Sequence, residues 1–126
     1  MISGALRAGL LVAIPAAALF GVGAATAVAA PAATTCSSTT GSSVCYTTGS
    51  HHLSVCDTNA DGWAPYAWWN PGSSHSQPTN RAEFTGGNGH CGSYPVTGSG
   101  GKISFQACRD VRHDPDNCGS WQTVTY

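Results

Sequence analysis

Lys102-Ile103-Ser104-Phe105-Gln106-Ala107-Cys108 is the stretch that decides the fold. Ile103, Phe105 and Ala107 alternate with Lys102, Ser104 and Gln106. A period of two puts the apolar set on one face of a β-strand and the polar set on the other. The strand is expected over residues 102–111. Beyond it, Asp114-Pro115-Asp116 lies in a hairpin loop over 112–117, and residues 120–126 return as the last strand. Before it, Thr97-Gly98-Ser99-Gly100-Gly101 is a turn, preceded by a strand over 92–96. A further short strand surrounds Phe84 over 81–85, and Gly86-Gly87-Asn88-Gly89 forms the loop after it.

Further upstream, Leu53 and Val55 alternate with polar neighbours and predict a strand over 51–56. Asp57-Thr58-Asn59-Ala60-Asp61-Gly62 is a turn by local chemistry. The aromatic run over 63–69 is expected to pair back on the preceding strand as a hairpin. Pro65 removes one ladder donor, which places that strand at an edge or a bulge. Residues 70–80 read as a polar loop. Helical periodicity is missing from residue 31 onward. Five to seven short strands separated by turns describe an all-β domain, sandwich-like or barrel-like.

The first thirty residues differ in kind. They are built from Ala, Leu, Val, Gly and Ile around a single charge, Arg7. A short basic n-region, an apolar run and the small-residue sequence Ala27-Val28-Ala29 are the marks of a cleaved signal peptide over 1–29. The competing reading is an uncleaved membrane anchor; Pro15 and the Gly/Ala-rich second half favour processing. Residues 30–50, rich in Ser, Thr and Gly, read as a flexible arm pinned by Cys36 and Cys45. The β domain is expected over 51–126.

That domain is poor in aliphatic residues. Leu53 is its one leucine and Ile103 its one isoleucine, while the chain holds four Trp, four Tyr and six Cys. A domain this small buries a limited share of its surface and commonly needs covalent staples. An even cysteine count behind a secretory leader predicts disulfides in an oxidising, extracellular setting. Cys108 and Cys118 face each other across one hairpin, Cys36 and Cys45 close a local loop, and Cys56 and Cys91 remain to join the first hairpin to the Gly-rich loop. Arg81, Lys102, Arg109 and Arg112 are set against Asp57, Asp61, Glu83, Asp110, Asp114 and Asp116. This mildly acidic balance gives no footprint for nucleic acid or for an anionic membrane.

Val55-Cys56-Asp57-Thr58-Asn59-Ala60-Asp61-Gly62, Asn88-Gly89-His90-Cys91 and the ending Phe105-Gln106-Ala107-Cys108-Arg109 with Cys118-Gly119-Ser120-Trp121 resemble a group of small secreted actinobacterial disulfide-rich β proteins of unknown function. The resemblance implies a secreted β fold and carries no activity.

Candidate chemistry is sparse. Asp57, Asn59, Asp61 and Gly62 match D-x-N-x-D-G, the front half of a calcium loop. The twelfth position, where an EF-hand places a bidentate Glu, is Trp68, so only a weaker calcium site is left. The competing reading is a turn in which these side chains bond their own backbone. Trp63 and Trp69 fall on one face of their strand, with Tyr66 and Trp68 on the other. Both faces cannot be the core of a two-sided sandwich, so Tyr66 and Trp68 become candidate ligand-binding residues; the competing reading is that a short barrel wraps both faces or that the loop over 70–80 covers the outer one. His51, His52, His75, His90 and His113 lack zinc spacing. There is no G-x-S-x-G, and the cysteines are better explained as disulfides than as nucleophiles. The mixed-charge loop around Arg109 and Arg112 could serve recognition. The reading is a non-catalytic extracellular binding module with a protein partner first and a polysaccharide second. A small secreted enzyme ranks below both, and no cofactor is expected beyond possible calcium.

Overall fold

The computed structural model describes residues 23–76 and 80–126. Most of the expected signal peptide therefore lies outside the described residues, and residues 23–33 carry no regular structure. Among the described residues nine strands follow: β1 (Thr34–Thr39), β2 (Ser42–Thr47), β3 (His52–Asp57), β4 (Pro65–Pro71), β5 (Asn80–Glu83), β6 (Cys91–Pro95), β7 (Lys102–Arg109), β8 (Asn117–Cys118) and β9 (Gln122–Thr125). All pairings are antiparallel and form two sheets. Sheet A has the order β1-β2-β3-β6. Sheet B has the order β5-β4-β7, with β8 and β9 both returning along β7. One core lies between the sheets, so the fold is a small sandwich. Val44, Tyr46, Leu53 and Val55 enter it from sheet A, and Ala67, Ala82, Ile103, Phe105 and Ala107 from sheet B. The alternation in β7 thus sets the inner face of sheet B.

Three expectations change. The Ser/Thr/Gly-rich arm is a hairpin, β1–β2, and half of sheet A. Val44 and Tyr46 are fully buried, and Ser43, Cys45 and Thr47, which alternate with them, occupy the outer face, a position that suits Thr and tolerates Ser. Secondly, β3 and β4 do not pair. They lie in different sheets, and the turn after Asp57 carries the chain from one to the other. Thirdly, β4 is not an edge strand, since it runs between β5 and β7. Pro65 is tolerated because it is the first residue of the strand, where little of the ladder depends on its missing N–H.

The disulfides are Cys36–Cys45, Cys56–Cys91 and Cys108–Cys118, the pairs expected from a local loop, from the two cysteines that remained and from one hairpin. Each joins residues directly opposed on neighbouring strands, so no bridge links one sheet to the other. The sheets are held together by the core and by polar ties, two of which involve β7. Buried Ser37 of β1 accepts the Ala107 N–H at 2.9 Å and donates to the Ser120 carbonyl at 2.6 Å. At the end of the sandwich, Arg109 Nη1 and Asp61 Oδ2 form an ion pair at 2.7 Å. Gly41, at the tip of the β1–β2 hairpin, lies directly on that pair. A Cβ there would come within 2.8 Å of the Arg109 side chain and 2.9 Å of Asp61 Oδ2.

Candidate functional site

The outer face of sheet B carries the large side chains that the core does not use. Of the four tryptophans, only Trp69 packs against the core cluster. Trp68 stands opposite Gln106 on β7 and alternates with inward-facing Ala67 and Trp69. Its neighbour Tyr66 shares this outer face but is only 1% exposed. The Arg81 guanidinium lies 3.7 Å from the centre of its ring. The Trp68 indole meets that ring edge-on at 5.6 Å, and the phenol donates to Asp116 Oδ2 at 2.6 Å. Tyr66 is therefore covered from above and does not form a ligand platform as expected from strand periodicity. It supports Arg81 and Trp68. Burial pushes the Tyr66 hydroxyl pKa well above its ordinary value, and the bond to Asp116 and that residue's charge push it further. Burial also acts to raise the Asp116 carboxyl. The Tyr66 hydroxyl, the Val111 N–H and the Arg81 charge more than reverse it, and the pKa falls below the ordinary 3.8. Arg81 also bonds Glu83 and, at 3.0 Å, Asp110.

The second partly exposed indole on this face, Trp121, is one that sequence reasoning placed only in the last strand. Cys118 faces Cys108 and Gln122 faces Phe105. Three residues on the returning chain therefore oppose two on β7. This is a β-bulge, which re-aims side chains locally. Thr123, two residues on, lies on the outer face, where its Oγ1 is 2.8 Å from Ser104 Oγ. Trp121 shares that side. His75 stacks on it with ring centres 5.3 Å apart and planes 7° from parallel, and His75 Nε2 is 2.6 Å from Thr123 Oγ1. The Gly119 N–H bonds the Ala107 carbonyl and Gln122 faces Phe105, which leaves Ser120 and Trp121 together opposite Gln106, across from Trp68. The result is a strip, Trp68–Gln106–Trp121, with Arg81 and Glu83 at one end and His75 and Thr123 at the other. Both indoles are partly exposed. The one clue in the sequence was that Gln106 faces outward. The bulge that brings Trp121 to it depends on non-local pairing.

The calcium candidates are spread over different tasks. Asp57 Oδ1 accepts the Asn59 N–H at 3.1 Å, and Asp61 Oδ1 accepts the Trp63 N–H at 2.9 Å. These are the self-bonded turn contacts expected of Asp in such a loop. The second oxygen of Asp61 belongs to Arg109, and the Asn59 side chain is exposed. The Asp61 carboxyl pKa is lowered: burial acts to raise it, but the Trp63 N–H and Arg109 outweigh that effect. The cation beside Asp61 is thus a guanidinium supplied by the fold. Among the described residues no group of three His, Cys, Asp or Glu is placed to hold a metal ion.

Trp63 divides two clefts at the end of the sandwich. One, of about 270 Å³, is lined by Asp57, Trp63, Ala64, Phe84, Thr85 and the neighbouring glycines. The other, of about 160 Å³, is lined by Trp63, Ala64, Glu83, Asp110 and Arg112, and so adjoins the Arg81 end of the strip. No family model matches the sequence, and no curated protein or solved structure is significantly similar to it.

Proposed function

We propose that the protein is a secreted, non-catalytic binding module whose ligand is a carbohydrate polymer held along the outer face of sheet B. The observation that carries this reading is the placement of Trp68 and Trp121 on one polar face, outside the core, with Gln106 between them. An indole offers a flat apolar surface to the C–H face of a sugar ring. The polar groups of Gln106, Arg81, Glu83 and Thr123 lie within the same strip and suit hydroxyls. A protein partner is the less favoured reading, because among the described residues Val28 is the only large hydrophobic side chain that is fully exposed. Protein interfaces concentrate their energy in larger apolar anchors. The carboxylates Glu83 and Asp110 are committed to Arg81, which supports binding over catalysis.

Secretion is part of the proposal. Three intramolecular disulfides are typical of extracellular proteins, and the apolar leader with Ala27-Val28-Ala29 supplies the route. Sequencing the N-terminus of the exported protein should give Ala30 as the first residue. The binding test is retention on insoluble polysaccharides of differing linkage. Trp68→Ala and Trp121→Ala should each weaken retention about tenfold or more while the far-ultraviolet spectrum stays that of the parent. Undiminished retention in both variants would remove the face from consideration.

A further inference from the structure

We propose that the larger cleft, between Trp63, Phe84 and Asp57, binds the ammonium head of a small organic cation. This site is separate from the Trp68–Trp121 strip and does not depend on the carbohydrate reading.

The cleft is assembled by two of the three connections that cross between the sheets. The turn after β3 contributes Asp57, Gly62, Trp63 and Ala64, and the segment after β5 contributes Phe84, Thr85 and Gly87. The Phe84 ring is fixed in place by close approach to two glycines. A Cβ at Gly86 would come within 2.3 Å of the ring, and one at Gly92 within 2.8 Å. Tyr94 packs on the same Gly92, and its hydroxyl donates to the Glu83 carbonyl. An aromatic wall is thereby fixed in the cleft that Trp63 also lines.

Among the described residues, Asp57 is the only acidic one lining this cleft, and it is 9% exposed. Asp57 Oδ1 holds the Asn59 N–H, and none of the ion pairs among the described residues includes this residue. Four positions later in the same turn, Asp61 has Arg109 as its counter-charge. A sequestered carboxylate without a cation is costly, and here it lines a cleft walled by an indole and a phenyl ring. Aromatic faces attract cations through their quadrupole, more strongly as water is excluded. A calcium ion needs six to eight oxygens, which one carboxylate and two rings do not supply. A weakly hydrated alkylammonium needs one counter-charge and a ring or two. The volume, about 270 Å³, is just under the usual range for drug-sized ligands and suits a head group.

The test is a titration of the intact exported protein with choline, followed through the Trp63 indole N–H signal by nuclear magnetic resonance, beside the uncharged isostere dimethylbutanol. Choline should produce a saturable shift with a dissociation constant on the order of a millimolar, and the isostere should bind about tenfold more weakly or worse. Asp57→Asn retains an acceptor for the Asn59 N–H and should weaken choline binding by a similar factor. Equal binding of choline and its isostere, or no saturable shift with choline, overturns the proposal. Both outcomes are read on the parent protein, so neither depends on how the variant folds.

Discussion

The two sheets share one core and differ in what covers their other side. The outer face of sheet A is made mainly of Ser, Thr and Cys, with His52 and Pro95 at one end, and two of the three disulfides lie on it, Cys36–Cys45 and Cys56–Cys91. The outer face of sheet B carries Tyr66, Trp68, Arg81 and Gln106. In a chain with one leucine and one isoleucine after residue 30, large apolar side chains are scarce. On sheet A, covalent bridges hold strands that carry little side-chain mass. On sheet B, indoles stand outside the core, where their contribution to stability is small. Side chains placed where the fold does not need them are the better candidates for function.

Removing bridges should show the first half of this contrast. The chain-entropy account scales with the loop closed. Cys56–Cys91 spans 35 positions and Cys36–Cys45 spans 9. Replacing both members of the first pair by serine should cost about 4 kcal/mol and of the second about 3 kcal/mol, read by denaturant unfolding. Equal losses, or a larger loss for the shorter loop, would mean that the two bridges act through native-state contacts and not through the unfolded chain.

The second half rests on Tyr66 and Trp68, two residues apart on one face. Tyr66→Phe keeps the ring beneath Arg81 but removes the hydroxyl donated to Asp116, and should cost about 1–2 kcal/mol. Trp68→Ala deletes the larger side chain, yet should cost only about 1 kcal/mol, chiefly the edge contact with Tyr66. A loss of several kcal/mol at Trp68 would make it a structural residue and undo the contrast. Acid titration sharpens it. The Asp116 pKa is depressed in the folded protein, so its contribution is complete above the unfolded value near 3.8 and is lost as pH falls through the lower folded value. The parent should lose stability below about pH 4, and Tyr66→Phe should show a shallower loss over the same interval.

What could be read from the sequence was mostly local. The alternation in 102–108 identifies β7 and its inward face, and proximity along the chain identifies Cys108–Cys118. Choices that depend on distant partners were not legible. Thr34 to Thr47 looked like linker because Ser and Thr dominate, although Val44 and Tyr46 are core residues once β3 pairs alongside. Tyr66 and Trp68 are equivalent by period two. Only the return of Arg81 on β5 and Asp116 after β7 buries one and leaves the other partly open. Trp121 reaches the same face through a bulge whose extra residue no local pattern announces. Likewise Asp57 and Asp61 look alike in a D-x-N-x-D-G turn, and a residue 48 positions away separates their roles.

That last distinction predicts an effect of zero. No disulfide joins the sheets, and at the Gly41 end the seam is closed by Asp61 and Arg109. If the turn were a calcium site, the metal would stabilise the seam and its removal would loosen it. With Arg109 in place, the cation is already present and one oxygen of Asp61 is taken by it, while the other holds the Trp63 N–H. The melting temperature should therefore be the same in excess calcium and in chelator. A rise with calcium would show that the ion displaces Arg109, and would make the seam metal-dependent. Arg109→Ala sharpens the same experiment. It leaves Asp61 without its counter-charge at a partly buried position, which should destabilise the domain by about 2–3 kcal/mol. In that variant, and not in the parent, added calcium should recover a part of the loss, because only then is the Asp61 carboxylate free of its guanidinium and able to join Asp57 around a cation.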